Sequence, residues 1–398
     1  MNYIIIGNGV AGTTAAENIR KYDPQGSIKI FTDEAYPFYS RIRLIEYLAD
    51  EVDLAKLQIR KSSWYETQRI QLFLKAKIAN IDRDRKEVIT QSGERHPFDK
   101  LLLADGSHSF VPPIPGADKS GVFTLRNIRD AEAIKAFAKG KSKALLIGGG
   151  LLGLEAANSL RKRGLKVSVV EFAPRLLPRQ TDPACSALLQ KRLEEMGFSF
   201  YLGVASKEIQ GEDQVRGLLL EDGRQIETDL ILISAGVRPN LELARKLGLK
   251  TGKGVPVSEK METELEDIYA AGDSIEYKGM LYGIWPASEK QGEIAGMNMA
   301  GQDAVYGGTT LSNQLKVAGI DLLAAGDIDP DGKLEAIVDL NREKGTYRKI
   351  VLKENTIVGV LLFGTLEGRK PILKAIEEKK DISGIRGGLE KFELRVLD

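Results

Sequence analysis

The fold is decided by the stretch Asn2-Tyr-Ile-Ile-Ile-Gly7-Asn-Gly9-Val-Ala-Gly12, near the start of the chain. An apolar run typical of a strand leads into three glycines spaced G-x-G-x-x-G, and a helical pattern follows. Between a strand and a helix, such glycines permit a tight turn, close approach of the backbone to a pyrophosphate, and packing of helix on strand. The helix N-terminus adds free N–H groups and a positive dipole end. One copy is a weak signal, because many α/β proteins use a glycine-rich turn for packing alone.

A second copy of the pattern strengthens the interpretation. Leu145-Leu-Ile-Gly148-Gly-Gly150-Leu-Leu-Gly153-Leu-Glu155 again joins an apolar strand to a helical pattern. Two copies this far apart predict two dinucleotide sites in one chain.

Length and composition indicate a multidomain globular protein. With 398 residues, 42% hydrophobic and 28% charged residues and a net charge of +1, we expect two or three domains and no nucleic-acid partner. No apolar run approaches membrane-spanning length and the first strand leaves no room for a signal peptide, so we expect a cytoplasmic protein with no membrane contact. A single cysteine, Cys185, cannot form an intramolecular disulfide, and two histidines argue against a metal cluster.

Acidic residues end the strand that follows each glycine turn. Asp33 comes 26 residues after Gly7 and is followed by Glu34, and Glu171 comes 23 residues after Gly148. At about this spacing a carboxylate binds the ribose hydroxyls of a dinucleotide. Either acid of the first pair fits this role, with capping of a loop as the alternative. Glu171 is expected on the ribose of the second cofactor.

Other strand ends and one basic segment add candidate residues. Apolar strands run into Ala104-Asp-Gly106 and into Ser234-Ala-Gly236, and a short strand delivers Gly272-Asp273. Arg41, in an aromatic and basic segment, is suited to hold a pyrophosphate by bidentate, charge-assisted bonds; a solvated helix end is the alternative.

The order of these patterns predicts an α/β fold with two Rossmann-like dinucleotide-binding domains and a small C-terminal α+β domain. The proline-rich segment 111–116 is extended chain suited to a domain crossing. We expect the first dinucleotide domain over residues 1–108 and 240–309, the second over 109–239, and the C-terminal domain over 310–398.

In motif order the chain resembles the glutathione-reductase-like flavoproteins, the pyridine nucleotide-disulfide oxidoreductase superfamily, along essentially its whole length. The segment Tyr39-Ser-Arg41-Ile-Arg43-Leu and the ending from Gly345 to Gly364 look most like NADH:rubredoxin oxidoreductases and the flavin-binding portion of assimilatory nitrite reductases. The resemblance implies FAD on the first turn, with Asp273 at its ribityl chain, and NADH on the second. The residues then expected at FAD are Gly7, Gly9, Gly12, Asp33, Glu34, Arg41, Ala104, Gly272 and Asp273, and those expected at NADH are Gly148, Gly150, Gly153, Glu171 and Gly236.

The chain departs from these relatives at several positions. The segment Tyr39–Ile42 has no redox cysteine, which disfavours reduction of disulfides or peroxide. Asp105 stands where threonine is common, Ile42 stands where a proline usually follows the arginine, and Glu46 stands where ferredoxin-reductase relatives have a lysine.

Two glutamates are the candidate catalytic residues implied by the resemblance. Glu155 would orient the nicotinamide carboxamide or tune the flavin; its alternative is a helix N-terminal acid stabilised by the dipole. If Glu46 lies close to Glu155, both cannot ionise cheaply, so one would hold a proton and donate a hydrogen bond. Pairing of Glu46 with Arg43 is the competing expectation.

The function implied by the resemblance is that of an FAD-dependent oxidoreductase. It would take hydride from NADH and pass electrons to an external one-electron carrier such as rubredoxin, as a monomer or homodimer. The alternatives are an NADH oxidase that reduces O₂, the flavin component of a nitrite reductase, and a non-enzymatic FAD- and NADH-binding signalling flavoprotein.

Overall fold

The computed structural model of the protein describes residues 1–310 and 319–397 in full, and only the backbone of residues 312–317. In the described chain the strands are β1 (Asn2–Ile6), β2 (Ser27–Phe31), β3 (Ile70–Phe73), β4 (Ile78–Asp82), β5 (Glu87–Thr90), β6 (Arg95–Pro97), β7 (Lys100–Leu103), β8 (Ser107–Ser109), β9 (Val122–Phe123), β10 (Lys143–Ile147), β11 (Lys166–Glu171), β12 (Phe198–Leu202), β13 (Ser206–Gln210), β14 (Gly217–Leu220), β15 (Gln225–Glu227), β16 (Leu230–Ile233), β17 (Val237–Pro239), β18 (Val255–Pro256), β19 (Ile268–Ala270), β20 (Ile275–Glu276), β21 (Ser312–Val317), β22 (Ile320–Gly326), β23 (Glu335–Asn341), β24 (Thr346–Lys353) and β25 (Thr356–Phe363).

The helices are α1 (Val10–Tyr22), α2 (Leu44–Leu48), α3 (Leu54–Leu57), α4 (Ser62–Thr67), α5 (Ile128–Phe137), α6 (Leu151–Lys162), α7 (Pro183–Glu195), α8 (Glu242–Lys246), α9 (Trp285–Met299), α10 (Arg369–Glu378) and α11 (Arg386–Glu390), followed by a 3-10 helix at Leu394–Leu397. Among the described residues, none of these helices combines the length and apolar character needed to cross a membrane.

The first of two compact units comprises Met1–Arg43, Val52–His108 and Val237–Thr309. Its central sheet has the order β19-β7-β1-β2-β3, and all its strands are parallel. Strands β2 and β3 follow β1 on one side of the sheet, and the later strands β7 and β19 are added on its other side. Strand β1 therefore lies at a topological switch point. In open α/β sheets, ligands bind in the crevice beyond the carboxyl end of such a strand. The glycine turn at residues 7–12 lies at that end of β1.

Helix α1, which follows the turn, is held against α9 by small residues. A Cβ atom at Gly292 would lie 2.3 Å from the carbonyl oxygen of Ala11, and one at Gly296 would lie 2.4 Å from that of Ala15. Only glycine permits this approach, because no real Cβ contact is so short. The two glycines therefore determine how closely α9 approaches α1.

The second unit comprises Leu44–Glu51, Ser109–Gly236 and Thr310–Asp398. Its parallel sheet has the order β12-β11-β10-β16-β9, so β10 occupies the same switch position as β1 does in the first unit. Residues Ala144–Ile147 of β10 are buried, as expected for a strand covered on both faces. The second glycine turn follows β10 directly.

The C-terminal part of the second unit is an antiparallel sheet of order β21-β22-β25-β24-β23. It is joined to the rest of the unit by a buried polar cluster. The hydroxyl of Tyr347 donates to Asp182 Oδ2 over 2.5 Å, and Lys349 Nζ lies 3.4 Å from the same oxygen. Together these sheets confirm the predicted fold class of two Rossmann-like sheets with a C-terminal α+β part.

One segment is grouped differently from the sequence-based expectation, which placed residues 1–108 in one domain. Leu44–Glu51, with α2, belongs to the second unit. Ion pairs hold it there: Arg163 and Lys135 contact Asp50, and Lys162 Nζ lies 2.5 Å from Glu51 Oε1. These partners lie roughly a hundred residues away in sequence, which is why local pattern could not reveal them.

Candidate functional site

The first glycine turn forms a cradle that a side chain would fill. Gly7 has a φ of 113°, and a Cβ there would lie 2.1 Å from the carbonyl oxygen of Ala104. A Cβ at Gly12 would lie 2.0 Å from the carbonyl oxygen of Gly7. Gly9, the N-cap of α1, has open space around it and its helix end has no side-chain cap. The free N–H groups of that end are therefore available to an anion.

A polar side chain of the same turn also fits a bound nucleotide. Asn8 accepts a hydrogen bond from the hydroxyl of Tyr65 over 2.9 Å. Its Nδ2 is buried and has no hydrogen-bond partner in the described part of the chain. A buried donor left without a partner is costly, so a ligand acceptor at this turn would satisfy it.

Glu34, one of the two strand-end acids of the first unit, is bonded to two neighbouring side chains. Glu34 accepts hydrogen bonds from the Tyr39 hydroxyl and from the Arg41 guanidinium. Burial alone would lower the pKa of the Arg41 guanidinium. The electrostatic interactions with Tyr39, Glu34 and Asp273 outweigh the effect of burial, so the pKa of Arg41 is raised. The structure thus brings Glu34, Arg41 and Asp273 into one electrostatic group.

The Gly272–Asp273 loop is held by two residues that sequence reasoning missed. Ser107 Oγ donates to Asp273 Oδ2 over 2.8 Å. The N–H of Gly272 donates to the buried Gln291 Oε1 over 3.0 Å, and a Cβ at Gly272 would lie 3.2 Å from that of Ala11 on α1. The loop therefore lies beside the helix that follows the first turn.

Asp105 is an acid with a perturbed pKa beside this turn. Its backbone nitrogen would lie 3.0 Å from a Cβ at Gly7, and its carbonyl oxygen accepts from Asn240 Nδ2 over 2.7 Å. Burial raises the pKa of its carboxyl to about 7, the backbone N–H of Asp105 itself opposes this, and the negative charges of Asp33 and Glu242 add to the increase. A carboxyl with such a pKa carries a proton much of the time near neutral pH.

The second glycine turn repeats the geometry of the first. Gly148 has a φ of 114°, and a Cβ there would lie 2.3 Å from the carbonyl oxygen of Ser234. A Cβ at Gly153 would lie 2.5 Å from the carbonyl oxygen of Gly148. Gly150 has open space around it and no side chain caps α6. Gly236, with a φ of 92°, accepts from the N–H of Phe110 over 2.9 Å.

Glu171 lies against this second turn. Its Oε2 accepts from the N–H of Gly149 and its Oε1 from the N–H of Ala173, each over 2.7 Å. Two backbone donors thus fix the carboxylate at the end of β11, next to the turn. A carboxylate held there is suited to accept hydrogen bonds from ribose hydroxyls.

Glu46 and Glu155 belong to the same unit, on helices that lie side by side. The hydroxyl of Ser159 lies 3.1 Å from the carbonyl oxygen of Glu155 and 2.8 Å from that of Ile45, the residue before Glu46. The backbones that carry the two glutamates are therefore linked by one serine. Their side-chain roles stay predictions.

The single cysteine of the sequence lies in the core of the second unit. Cys185 lies fully buried in α7, and burial raises the pKa of its thiol. Within the described residues, no group of three or more histidine, cysteine, aspartate or glutamate side chains could hold a metal ion.

Comparison with known proteins assigns the family. Residues 1–303 match the family described as pyridine nucleotide-disulphide oxidoreductase. The chain belongs to this family. Residues 312–380 of this oxidoreductase-family chain match the rubredoxin NAD+ reductase C-terminal domain. The predicted superfamily membership is confirmed.

Individual members of the pyridine nucleotide-disulphide oxidoreductase family resemble the chain along most of its length. It is 39% identical to the nitrite reductase [NAD(P)H] of Bacillus subtilis over 96% of this chain but only 48% of that protein. It is 32% identical to the NADH-rubredoxin oxidoreductase of Clostridium acetobutylicum over 96% of each chain. The crystal structure of NADH:rubredoxin oxidoreductase from Clostridium acetobutylicum superposes with a TM-score of 0.83 at 30% identity, covering 98% of this chain and 99% of that one. The chain thus spans about half the length of its nitrite reductase relative and nearly all of its rubredoxin reductase relative.

Proposed function

We propose that the chain is an FAD-dependent oxidoreductase that takes hydride from NADH and passes electrons to a small one-electron carrier of the rubredoxin type. The observation that carries this proposal is the similarity to an NADH-rubredoxin oxidoreductase along 96% of both chains, C-terminal domain included. We place the activity in the cytoplasm, with the protein acting as a monomer or homodimer.

The first unit is proposed to bind FAD. Its pyrophosphate would lie at the uncapped N-terminus of α1, where Gly7, Gly9 and Gly12 leave space and Asn8 Nδ2 offers a donor. Asp273, oriented by Ser107, would accept hydrogen bonds from the ribityl hydroxyls. Asp33 or Glu34 would contact the ribose. When bound, FAD accepts hydride and returns electrons singly.

The second unit is proposed to bind NADH. The N-terminus of α6 is open to its pyrophosphate, and Glu171 is held by two backbone N–H groups beside the same turn. The chain would hold the dinucleotide in one orientation. Hydride transfer would then take place within a bound complex and would not depend on random collisions. Gly236 and Ala104 end the strands beside the two turns and are proposed as close backbone contacts.

Glu46 and Glu155 are proposed to act at the reacting end of the nucleotides. Ser159 links their backbones, so a displacement of α2 would be transmitted to α6. In this arrangement Glu155 would orient the nicotinamide carboxamide or tune the flavin.

A second candidate function is supported by the 39% identity with the Bacillus subtilis nitrite reductase. In that case the chain would be the flavin component that supplies electrons to a nitrite-reducing partner. Two alternatives differ from these two functions in the electron acceptor. An oxidase would reduce O₂ directly, and a signalling flavoprotein would act without enzymatic turnover.

The test is NADH oxidation by the FAD-loaded protein with different acceptors. We expect rapid anaerobic reduction of rubredoxin, slower reduction of ferredoxin and of flavodoxin-type proteins, and slow NADH consumption in air without a carrier. Rapid consumption in air would identify an oxidase instead. Slow turnover with every carrier would contradict the electron-transfer proposal and favour a signalling role.

A further inference from the structure

The most exposed large apolar side chain in the described residues lies beside the proposed ribose-binding acid. Phe172 is 79% exposed, more than any other large hydrophobic residue of that set, and it directly follows Glu171. An exposed phenyl ring contributes little to the packing of the fold, and its faces are accessible to a bound group.

The backbone on both sides of Phe172 is anchored, which fixes the point from which the ring extends. Glu171 accepts from the N–H groups of Gly149 and Ala173, and the carbonyl oxygen of Ala173 accepts from the N–H of Gly203 over 2.9 Å. The carbonyl oxygen of Glu171 is also bonded, to the N–H of Val204 over 3.3 Å. Among the described residues, no ring stacks on Phe172 and no cation lies over it. One face of the ring is therefore free to receive a planar group.

The nearby basic residue is directed elsewhere. Arg175 Nη2 donates to the carbonyl oxygen of Pro178 over 3.1 Å, within its own loop. Its Nε is buried and has no hydrogen-bond partner in the described part of the chain. One guanidinium nitrogen of Arg175 is thus bonded within the loop, and the ring of Phe172 is the exposed apolar group beside Glu171.

We propose that Phe172 is the stacking platform for the adenine of NADH, and so a specificity-determining residue for the adenosine half of the dinucleotide. This proposal rests on the proposed function. If Glu171 binds the ribose hydroxyls, the base attached to that ribose lies within a few ångströms, at the level of the adjacent residue. An aromatic ring held in place offers a π face to any purine, and base–aromatic stacking is a recognised source of nucleotide affinity.

The experiment separates the two halves of the dinucleotide. Binding of ADP-ribose, which has the adenine but no nicotinamide, is measured by calorimetry on the FAD-loaded parent and on Phe172→Ala, Phe172→Trp and Val338→Ala. Val338 is a matched control, an exposed apolar residue on β23 of the same unit. Oxidation of reduced nicotinamide mononucleotide, which has no adenine, is measured in parallel.

We expect Phe172→Ala to weaken ADP-ribose binding about tenfold, Phe172→Trp to retain it, and Val338→Ala to leave it unchanged. Oxidation of the mononucleotide should be the same in all four proteins. Unchanged ADP-ribose binding in Phe172→Ala would overturn the proposal, and a raised KM for the carrier protein in that variant would assign the ring to the carrier instead. Equal losses for ADP-ribose and the mononucleotide would also overturn it, because they indicate a damaged loop. Failure of the parent to bind ADP-ribose or to oxidise either nucleotide would instead refute the proposed function.

Discussion

Ser107 and Asp273 are joined by a hydrogen bond of 2.8 Å although 166 residues separate them in sequence. Ser107 follows the strand end at Ala104–Gly106, and Asp273 follows the buried strand β19, which pairs with β7 in the parallel sheet. The serine hydroxyl donates, so it orients the carboxylate of Asp273. The bond thus links the two strand ends beside the proposed FAD site.

From this relationship we expect graded losses of FAD affinity. Asp273→Ala removes the proposed ribityl acceptor and should yield protein that loses FAD on dilution. Ser107→Ala removes the orienting donor, a hydrogen bond worth about 1.5–3 kcal/mol when the acceptor is charged, so FAD should bind about 10- to 100-fold more weakly. The measurement is the FAD dissociation constant from quenching of flavin fluorescence. Ser63→Ala, at an exposed serine on α4, is the control. Full FAD retention by Asp273→Ala would contradict the assignment.

The coenzyme preference should follow from Glu171. Its carboxylate, held by the N–H groups of Gly149 and Ala173, can accept from ribose hydroxyls and would repel a 2′-phosphate. We therefore expect a higher kcat/KM with NADH than with NADPH, and a smaller ratio in Glu171→Ala. Glu212→Ala, which removes an exposed acid elsewhere in the unit, should leave the ratio unchanged. Equal kcat/KM values for the two coenzymes in the parent protein would remove Glu171 from this role.

Catalysis should not depend on a thiol. Cys185 is fully buried in α7, and burial together with the nearby Asp182 raises the pKa of its thiol, so the reactive thiolate is scarce. We expect Cys185→Ala to keep the rate of carrier reduction, with a loss of stability of about 1 kcal/mol or more from the small cavity. The checks are stopped-flow kinetics and thermal unfolding. A variant that binds FAD but has lost its activity would restore a thiol mechanism.

The sequence predicted features that depend on local rules. Strand, glycine turn and helix are adjacent in the chain, so the sites of the turns at Gly7 and Gly148 and the two Rossmann-like sheets could be inferred from spacing alone. The Ser107–Asp273 bond and the grouping of Leu44–Glu51 with the second unit depend on residues far apart in sequence. The exposure of Phe172 likewise depends on which side chains pack around it, which no pattern of hydrophobicity reports.

Glu46 can be tested through charge and through position. Glu46→Gln keeps the shape of the side chain and removes its charge, so we expect slower carrier reduction with unchanged binding of ADP-ribose. Ser159→Ala removes the link between the carbonyl oxygens of Ile45 and Glu155 and should slow carrier reduction to a smaller extent. Rates equal to that of the parent in both variants would exclude Glu46 from the reaction and leave it as a surface acid.

The last prediction concerns pH and Asp105. Its folded-state pKa is raised from 3.8 to about 7, mainly by burial, with Asp33 and Glu242 adding to the increase. Between these two values the folded chain holds a proton that the unfolded chain has released, so the free energy of unfolding falls as pH rises. The stabilisation is fully present below about pH 4, is lost progressively up to about pH 7, and amounts to no more than about 4 kcal/mol.

Asp105→Asn should abolish this pH dependence, because an amide does not ionise. We expect the difference in unfolding free energy between variant and parent, measured by urea titration, to grow in favour of the variant from pH 4 to 7 and then to level off. Asp118→Asn, at an exposed aspartate, is the control and should follow the parent. Because Asp105 lies beside the Gly7 turn, its ionisation would add negative charge near the pyrophosphate proposed there. FAD affinity of the parent should therefore fall as pH rises from 6 to 8, and that of Asp105→Asn should not. A constant difference in unfolding free energy across this range would show that the carboxyl titrates like an ordinary surface acid.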